Sequence, residues 1–180
     1  MNDQLLPAIR TRRLRYNFAC SLDGFIADAD GGYGWIVDDK GIDFDGLFSQ
    51  FDTFVMGRKT WEVMQAQGEA NPLRGRRVIV ASRTLSEGGE ATIVRDGIEA
   101  AVAALKAEDS DRDIWLFGGG ELAAALFAAG LVDRVEPAVM PVLLTRGIPM
   151  LPAGGPIELM LVSADSRPSG IQLLVYDVVR

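Results

Sequence analysis

Three short stretches of this chain carry residue types that bind anions, each where an apolar run ends. In "VMGRKTW", Gly57 permits close backbone approach, Arg58 and Lys59 supply positive charge and Thr60 a hydroxyl. The residues that follow open a helix, whose free N–H groups attract anions. Two cations at a helix N-terminus oppose its dipole, so they fit best around a bound anion; the alternative is a pair of ordinary solvated charges. In "VIVASRT", Ser82 and Arg83 join a hydroxyl to a guanidinium, a pair that suits a phosphate monoester and equally a polar strand end. In "IWLFGGGEL", Gly118, Gly119 and Gly120 form either a nest of consecutive N–H groups or a tight strand-to-helix turn. Their spacing is not the G-x-G-x-x-G of the dinucleotide fingerprint. Glu121 follows as a first-turn carboxylate, favourable at a helix N-terminus.

Composition narrows the chemistry. The 180 residues contain no histidine, which removes His-based acid–base catalysis, Ser-His and Cys-His nucleophile pairs and most zinc sites. Cys20 is the sole cysteine, so no internal disulfide forms, and it reads as a small buried hydrophobe. The net charge of −7 and the lack of a long basic tract disfavour nucleic-acid binding. The N-terminal "MNDQLLPAIRTRRLRY" is too polar for a signal peptide, and no apolar stretch approaches a membrane span. A reducing cytoplasm is the expected compartment.

The elements that must hold these residues follow from periodicity. "RLRYNFAC" alternates as a strand before Asp23-Gly24 interrupts it. A Gly- and Asp-rich loop over residues 28–41 carries Tyr33 and Trp35. Phe44, Leu47, Phe48 and Phe51 share one face of a short helix. Strands are expected over residues 53–57, 76–82 and 91–94, with helices over 58–66 and 97–108. The Ile114–Gly118 strand and its glycine turn lead into a helix over 121–130. Strands over 132–144, 157–165 and 171–180 close the chain. Alternating strands and helices, then a strand-rich tail, predict an α/β domain: a mostly parallel sheet covered on both faces, with an antiparallel C-terminal edge. Ligands then sit beyond the carboxyl ends of the parallel strands, where all three stretches lie.

The order "VMGRKTWE", "RGRRVIVASR", "IWLFGGGEL" and a tail ending "LLVYDVVR" resembles the dihydrofolate reductase superfamily. "SLDGFIAD", "GGGELAAALFAAGLVDRV" and "PVLLTRGIPML" are similar to one branch, the reductase domain of the riboflavin-biosynthesis deaminase-reductase and its stand-alone relatives. The resemblance spans residues 13–180 and implies one dihydrofolate reductase-like three-layer domain there, with residues 1–12 as a mobile extension. It implies NADPH as cofactor, with Gly57 and Thr60 at its phosphates, Arg58 at the 2′-phosphate, and Ser82 and Arg83 as the other wall of that 2′-phosphate site. Gly118, Gly119, Gly120 and Glu121 would lie along the pyrophosphate, and the loop from Ser21 to Trp35 would cover the nicotinamide. It also implies a homodimer and a pyrimidine- or pterin-like substrate, the namesake reaction being reduction of 5-amino-6-(5-phosphoribosylamino)uracil.

The departures are specific. The zinc deaminase half has no counterpart: H-x-E and P-C-x-x-C are absent. "EANPLRGRR" keeps Asn71-Pro72 of the branch's phosphate-binding segment and little else, and no P-W precedes the carboxylates of "GIDFDGLF". Thr145 stands where the branch has the first glycine of a turn. Hydride transfer needs a proton source as well, and without histidine the candidates are a carboxylic acid, a tyrosine or water. Asp23 and Asp45 are the expected catalytic carboxylates, with Asp43 beside them; an Asp-Gly turn is the other role open to Asp23. A dihydrofolate-type reductase and a non-catalytic NADPH-binding protein are the alternatives.

Overall fold

The computed structural model describes residues 11–180. The chain runs β1 (Leu14–Ser21), β2 (Phe25–Ala27), α1 (Phe44–Ser49), β3 (Phe51–Gly57), α2 (Arg58–Ala66), β4 (Arg77–Ala81), β5 (Thr92–Val94) and α3 (Ile98–Ala107). It continues through β6 (Asp113–Gly118), α4 (Gly120–Ala128), β7 (Arg134–Met140), β8 (Ile148–Pro149), β9 (Leu159–Ser166) and β10 (Gln172–Val178). Eight strands form one sheet in the order β5-β4-β3-β6-β1-β7-β10-β9. Pairing is parallel from β5 to β7, and β10 pairs antiparallel with both β7 and β9. β2 and β8 form a separate antiparallel ribbon.

The two faces of the sheet are covered differently. On one, Leu14, Tyr16, Val55, Ile114 and Leu116 pack with Val102 and Leu105 of α3 and Ala123 and Leu126 of α4. On the other, Phe51, Phe54, Met56 and Trp115 pack with Trp61 of α2 and Leu47 and Phe48 of α1. Here the rings carry the packing: Phe51 and Phe48 lie 4.7 and 4.9 Å from Trp115, and Phe117 lies 5.1 Å from it. The first cover is made of small strong helix formers and ends cleanly. Gly130, at φ 66, donates to Phe127 while Leu131 donates to Leu126, the Schellman arrangement that satisfies the last carbonyls. The second cover stops short, and β1, β7 and β10 meet a cleft on that face instead of a helix.

The mixed sheet, the helices on both faces and the C-terminal hairpin agree with the expected architecture. Phe51 opens β3 instead of sharing the face of the short helix, which ends at Ser49. Three further details differ. The strand expected over 132–144 ends at Met140, because Pro141 cannot continue the ladder and the chain turns off toward β8. The 157–165 strand starts two residues late and is exposed along its whole length, as the edge of the sheet. Of the extension expected over 1–12, residues 1–10 lie outside the described residues, and Arg12 belongs to the folded domain. It is 1% exposed and ion-paired with Asp52 and Glu108. Its guanidinium also donates to Thr53 Oγ1 and to the carbonyls of Leu105 and Arg112. No apolar periodicity marks such a residue.

Candidate cofactor and substrate cleft

β3 and β6 are parallel neighbours whose carboxyl ends turn directly into α2 and α4. The N-caps are Gly57 and Gly119, and neither has a side-chain capping bond, so both first turns leave N–H groups free beside the cleft. The glycines differ in what requires them. Gly119 sits at φ 104, where a side chain is strained, and a Cβ on it would come within 3.8 Å of the Gly57 nitrogen. Gly118 lies under Thr60, whose Oγ1 would be 3.1 Å from an added Cβ. Gly120 packs against the backbone of β8, with the Pro149 carbonyl 2.8 Å from an added Cβ. A Cβ on Gly57, by contrast, would meet nothing. Arg58, Lys59, Thr60 and Glu121 line the same end of the cleft. Arg58 is half-exposed and paired with Glu62 at 2.6 Å, so its charge is only loosely tied.

Ser82 and Arg83 lie apart from that cleft. They line a smaller pocket with Ala81, Val94, Arg95, Asp96, Gly97 and Ile98, and Ala81 alone borders both spaces. The Ser82 hydroxyl accepts from the N–H groups of Leu85 at 2.9 Å and Thr84 at 3.3 Å, so it holds its own turn. Arg95 follows β5 as Arg83 follows β4, and its guanidinium touches the Arg83 carbonyl at 3.4 Å. The N-terminus of α3, capped by Gly97 without a side chain, opens beside them. Arg95 was not among the sequence candidates, although it follows an apolar strand just as Arg83 does.

The far part of the cleft has a charged floor. β1 alternates, so Arg15, Asn17 and Ala19 face away from the Leu14–Tyr16 core. Register places Asn17 opposite Glu136 of β7. Arg15 donates from Nη2 to Glu136 Oε1 at 2.8 Å and from Nε to both carboxylate oxygens. Its Nη1 reaches Gln50 Oε1 at 2.8 Å and Asp113 at 3.5 Å, and the guanidinium lies 4.4 Å over the Phe51 ring. Asn17 Nδ2 donates to Glu136 Oε2 at 3.0 Å. Arg15 and Glu136 are both buried, and such a pair persists only where further bonds offset its desolvation, as they do here. Sequence reading missed this floor; its one signal is charge inside strands that the α/β pattern makes central.

The candidate carboxylates separate. Asp23 is exposed and absent from the cleft wall. Its carboxylate accepts the Ser21 hydroxyl at 2.6 Å and the N–H groups of Thr145 at 2.7 Å and Leu144 at 3.1 Å. Those bonds, the Ser21 hydroxyl foremost, hold its pKa below the usual carboxylate range. Thr145 has φ 63, the left-handed backbone for which the branch supplies glycine, and Asp23 pins it. Asp45 is exposed in the first turn of α1 and also off the cleft wall. Asp43 does line the cleft, where it caps α1 by accepting from Gly46 N–H at 2.9 Å. The Tyr16 hydroxyl donates to the Met150 carbonyl at 2.7 Å, and burial pushes its pKa up. Burial likewise pushes the Cys20 thiol up to about 11. Of the covering loop, Asp30, Gly31, Tyr33, Ile36 and Val37 border the cleft, whereas Trp35 bonds to the Gly32 carbonyl.

The cleft measures about 2030 Å³. Pockets for one small ligand run to about 1,000 Å³, so this cleft is about twice that size. A family model described as "RibD C-terminal domain" matches residues 12–173. The uncharacterized protein YyaP of Bacillus subtilis (strain 168) is 29% identical over 181 residues, 93% of this chain and 96% of its own length. A Shewanella sp. PV-4 protein provisionally placed in riboflavin biosynthesis has a crystal structure with TM-score 0.81 at 22% identity, covering 93% of this chain and 99% of that one. The diaminohydroxyphosphoribosylaminopyrimidine deaminase/5-amino-6-(5-phosphoribosylamino)uracil reductase of Thermotoga maritima superposes with TM-score 0.70 at 15% identity. It covers 94% of this chain and 57% of that one. These two likenesses are of fold.

Proposed function

This chain belongs to the RibD C-terminal domain family, a family of reductase-like proteins, and we propose from that premise that it is an NADPH-dependent reductase of a small heterocycle. The observation that carries the reading is the junction of Gly57 and Gly119. Two helix N-termini open there on one cleft, and the missing side chain of Gly57 leaves open space rather than a packed contact. That donor set suits a pyrophosphate: uncapped N–H groups from both helices, the Thr60 hydroxyl, and the Arg58 and Lys59 charges at the rim. Glu121, in the first turn of α4, would flank it on the solvent side. We assign the 2′-phosphate to the neighbouring pocket, with Arg83 and Arg95 on either side and the α3 N-terminus behind. Ser82 shapes this pocket through its turn.

The bound nicotinamide supplies the hydride. The chain's own residues do the rest: Phe48, Trp115 and Phe117 offer an apolar wall for a flat ring, and the 30–37 loop borders the opening. Asp43 is the one carboxylate of the three candidates on the cleft wall. Asp23 is held ionised away from it, so we assign the proton to water beside Asp43 rather than to Asp23 or Asp45. The namesake uracil derivative remains one substrate reading, and a dihydrofolate-type ring without a ribosyl phosphate is the other. Complementation of a riboflavin auxotroph against a folate-reductase-deficient strain separates them; binding of NADPH with turnover of neither points to a non-catalytic role. Fluorescence titration tests the cofactor: NADPH is expected to bind at least about tenfold tighter than NADH, as one charge-assisted phosphate contact warrants. Equal affinities would remove the Arg83/Arg95 assignment.

We further propose that the protein is a homodimer of the cytoplasm. The edge strand β9 exposes Met160 (59%), Leu161 (55%) and Val162 (48%), an apolar strand whose outer side has no partner among the described residues and which folded chains usually cover. Sedimentation equilibrium should give twice the chain mass, and Leu161→Lys should lower it to the monomer.

A further inference from the structure

We infer that the β9–β10 turn latches the loop between β2 and α1 through Asp39, and that this latch gates the passage of ligand into and out of the cleft. The inference rests on the reductase reading only for the ligand that reports on it. The sixteen residues 28–43 form no helix or strand, and none of them is buried. A segment of that length with so little to hold it belongs to the part of a fold that opens most readily. Its hydrogen bonds are mostly its own. The N–H groups of Gly31, Ile36 and Ile42 donate to carbonyls inside the loop, those of Asp30 and Gly32 to the Asp28 carboxylate, and Trp35 Nε1 to the Gly32 carbonyl. Among the described residues, a single hydrogen bond ties it to the body between its junctions with β2 and α1. The Ser169 hydroxyl donates to Asp39 Oδ2 at 2.6 Å, across 130 residues of sequence.

The two sides of the contact are unequal. The turn is fixed: the Arg167 N–H donates to the Ile171 carbonyl and the Gly170 N–H to that of Arg167, both at 2.9 Å, Pro168 restricts the backbone, and Ile171 is fully buried. On the loop side, Asp39 Oδ1 accepts the Gly41 N–H at 2.8 Å, which aims the carboxylate at the turn. Arg167 adds charge without a bond. Its Nε lies 3.5 Å from Asp39 Oδ2 and its Nη1 3.6 Å from Asp165, and the buried Nε makes no hydrogen bond. A guanidinium so placed attracts the loop and still lets it go, because opening breaks one hydrogen bond and one loose ion pair. The glycine at 41 makes room for it: a Cβ there would overlap Arg167 Nη2 and come within 3.0 Å of Asp39 Oδ1. Asp30, Tyr33, Ile36 and Val37 of the loop line the cleft, as does Arg167, so a swing of the loop changes the opening.

The test measures NADPH association and dissociation by stopped-flow fluorescence on the full chain. The latch joins two parts of the protein to each other, so releasing it lowers the barrier to passage in both directions. Arg167→Met with Ser169→Ala should raise both rate constants by the same factor, about tenfold, as loss of one hydrogen bond to a charged group predicts, and leave Kd within about twofold. Gly41→Ala displaces the guanidinium without removing a charge and should move both rates in the same direction. A nitroxide on Lys40→Cys reports the loop without any ligand, since Lys40 is exposed and Cys20 is buried. Its spectrum should sharpen in the double variant as the loop gains mobility. The inference is overturned if the label's mobility does not change, if both rates stay at the parent values, or if dissociation alone rises and Kd weakens, which would make Arg167 a ligand contact. Failure of the wild-type chain to bind NADPH sinks the reductase reading instead, and the nitroxide then decides by itself whether the turn holds the loop.

Discussion

The two ends of the cleft are built from different materials. The end at β3 and β6 is made of backbone: glycines, two uncapped helix N-termini, and cations on half-exposed side chains. The floor at β1 and β7 is made of side chains, with Arg15 8% and Glu136 6% exposed. A backbone site needs little from its side chains except their absence, so its cations are free to change at small cost. A buried charged floor is held by mutual satisfaction, and each member is fixed by the others. The proposed cofactor end is therefore a tolerant frame and the floor a brittle one.

The largest expected effect breaks the floor. Glu136→Ala leaves Arg15 buried with only Asp113 and Gln50, and breaking such a pair costs about 3 kcal/mol or somewhat more. For a domain of this size that lowers Tm by roughly 6–12 °C. Replacing both partners, Arg15→Met with Glu136→Leu, should recover most of the loss, since apolar residues of similar volume need no partner. Thermal melts of the three variants check it. A Glu136→Ala protein as stable as Arg58→Ala, expected within about 0.5 kcal/mol of the parent, would erase the contrast between the two ends.

Next comes the one place where the cofactor end is brittle. Gly120→Ala puts a methyl carbon 2.8 Å from the Pro149 carbonyl and 3.0 Å from that of Met150, both backbone atoms. Overpacking of that kind costs about 1–3 kcal/mol. Gly57→Ala meets no atom of the protein. It should leave stability within about 0.5 kcal/mol and weaken NADPH by intruding on its space. Urea melts with NADPH titrations separate the two glycines: the first is required by packing, the second by the ligand.

That division also explains what was legible in the sequence. Most elements and the mixed character of the sheet followed from periodicity, and the backbone end of the cleft from glycines at strand termini, because both are local properties of the chain. Arg12 and the Arg15–Asn17–Glu136 floor were not legible. Their meaning comes from partners as far as 121 residues away in sequence, as in the Arg15–Glu136 pair. Arg15 and Asn17 looked like the polar side of an amphipathic strand. Only the register that sets Asn17 against Glu136 converts that pattern into a bonded network. Asp23 shows the opposite difference of scale. An acid at a loop near the expected site looked catalytic, and the bonds it makes across 122 residues to Thr145 are those of a clasp.

A smaller effect sharpens the cofactor end without touching the fold. Arg83→Ala with Arg95→Ala removes two exposed guanidinium groups, so stability should stay within about 0.5 kcal/mol. NADPH affinity should fall roughly 10- to 100-fold while NADH affinity holds, as loss of one or two charge-assisted bonds predicts. Titration of both nucleotides measures the ratio. Equal losses would mean that the small pocket shapes the main cleft rather than reading the 2′-phosphate.

The smallest effect concerns the Asp23 clasp, and its sign follows from linkage. The bonds from Ser21, Thr145 and Leu144 lower the folded pKa of Asp23 below its unfolded value of about 3.9. A depressed carboxylate adds stability that is fully present above the unfolded pKa and is lost as pH falls through the folded one. Asp23→Asn keeps the shape and an acceptor oxygen but cannot ionise. It should therefore melt below the parent at pH 7, and the gap should close as pH falls below about 4. Thr145→Gly should narrow the same gap at pH 7, because glycine holds φ 63 without the clasp. If the Asp23→Asn deficit instead persisted unchanged in acid, the clasp would act through packing rather than charge. If it vanished at every pH while hydride transfer failed, Asp23 would belong to the reaction after all.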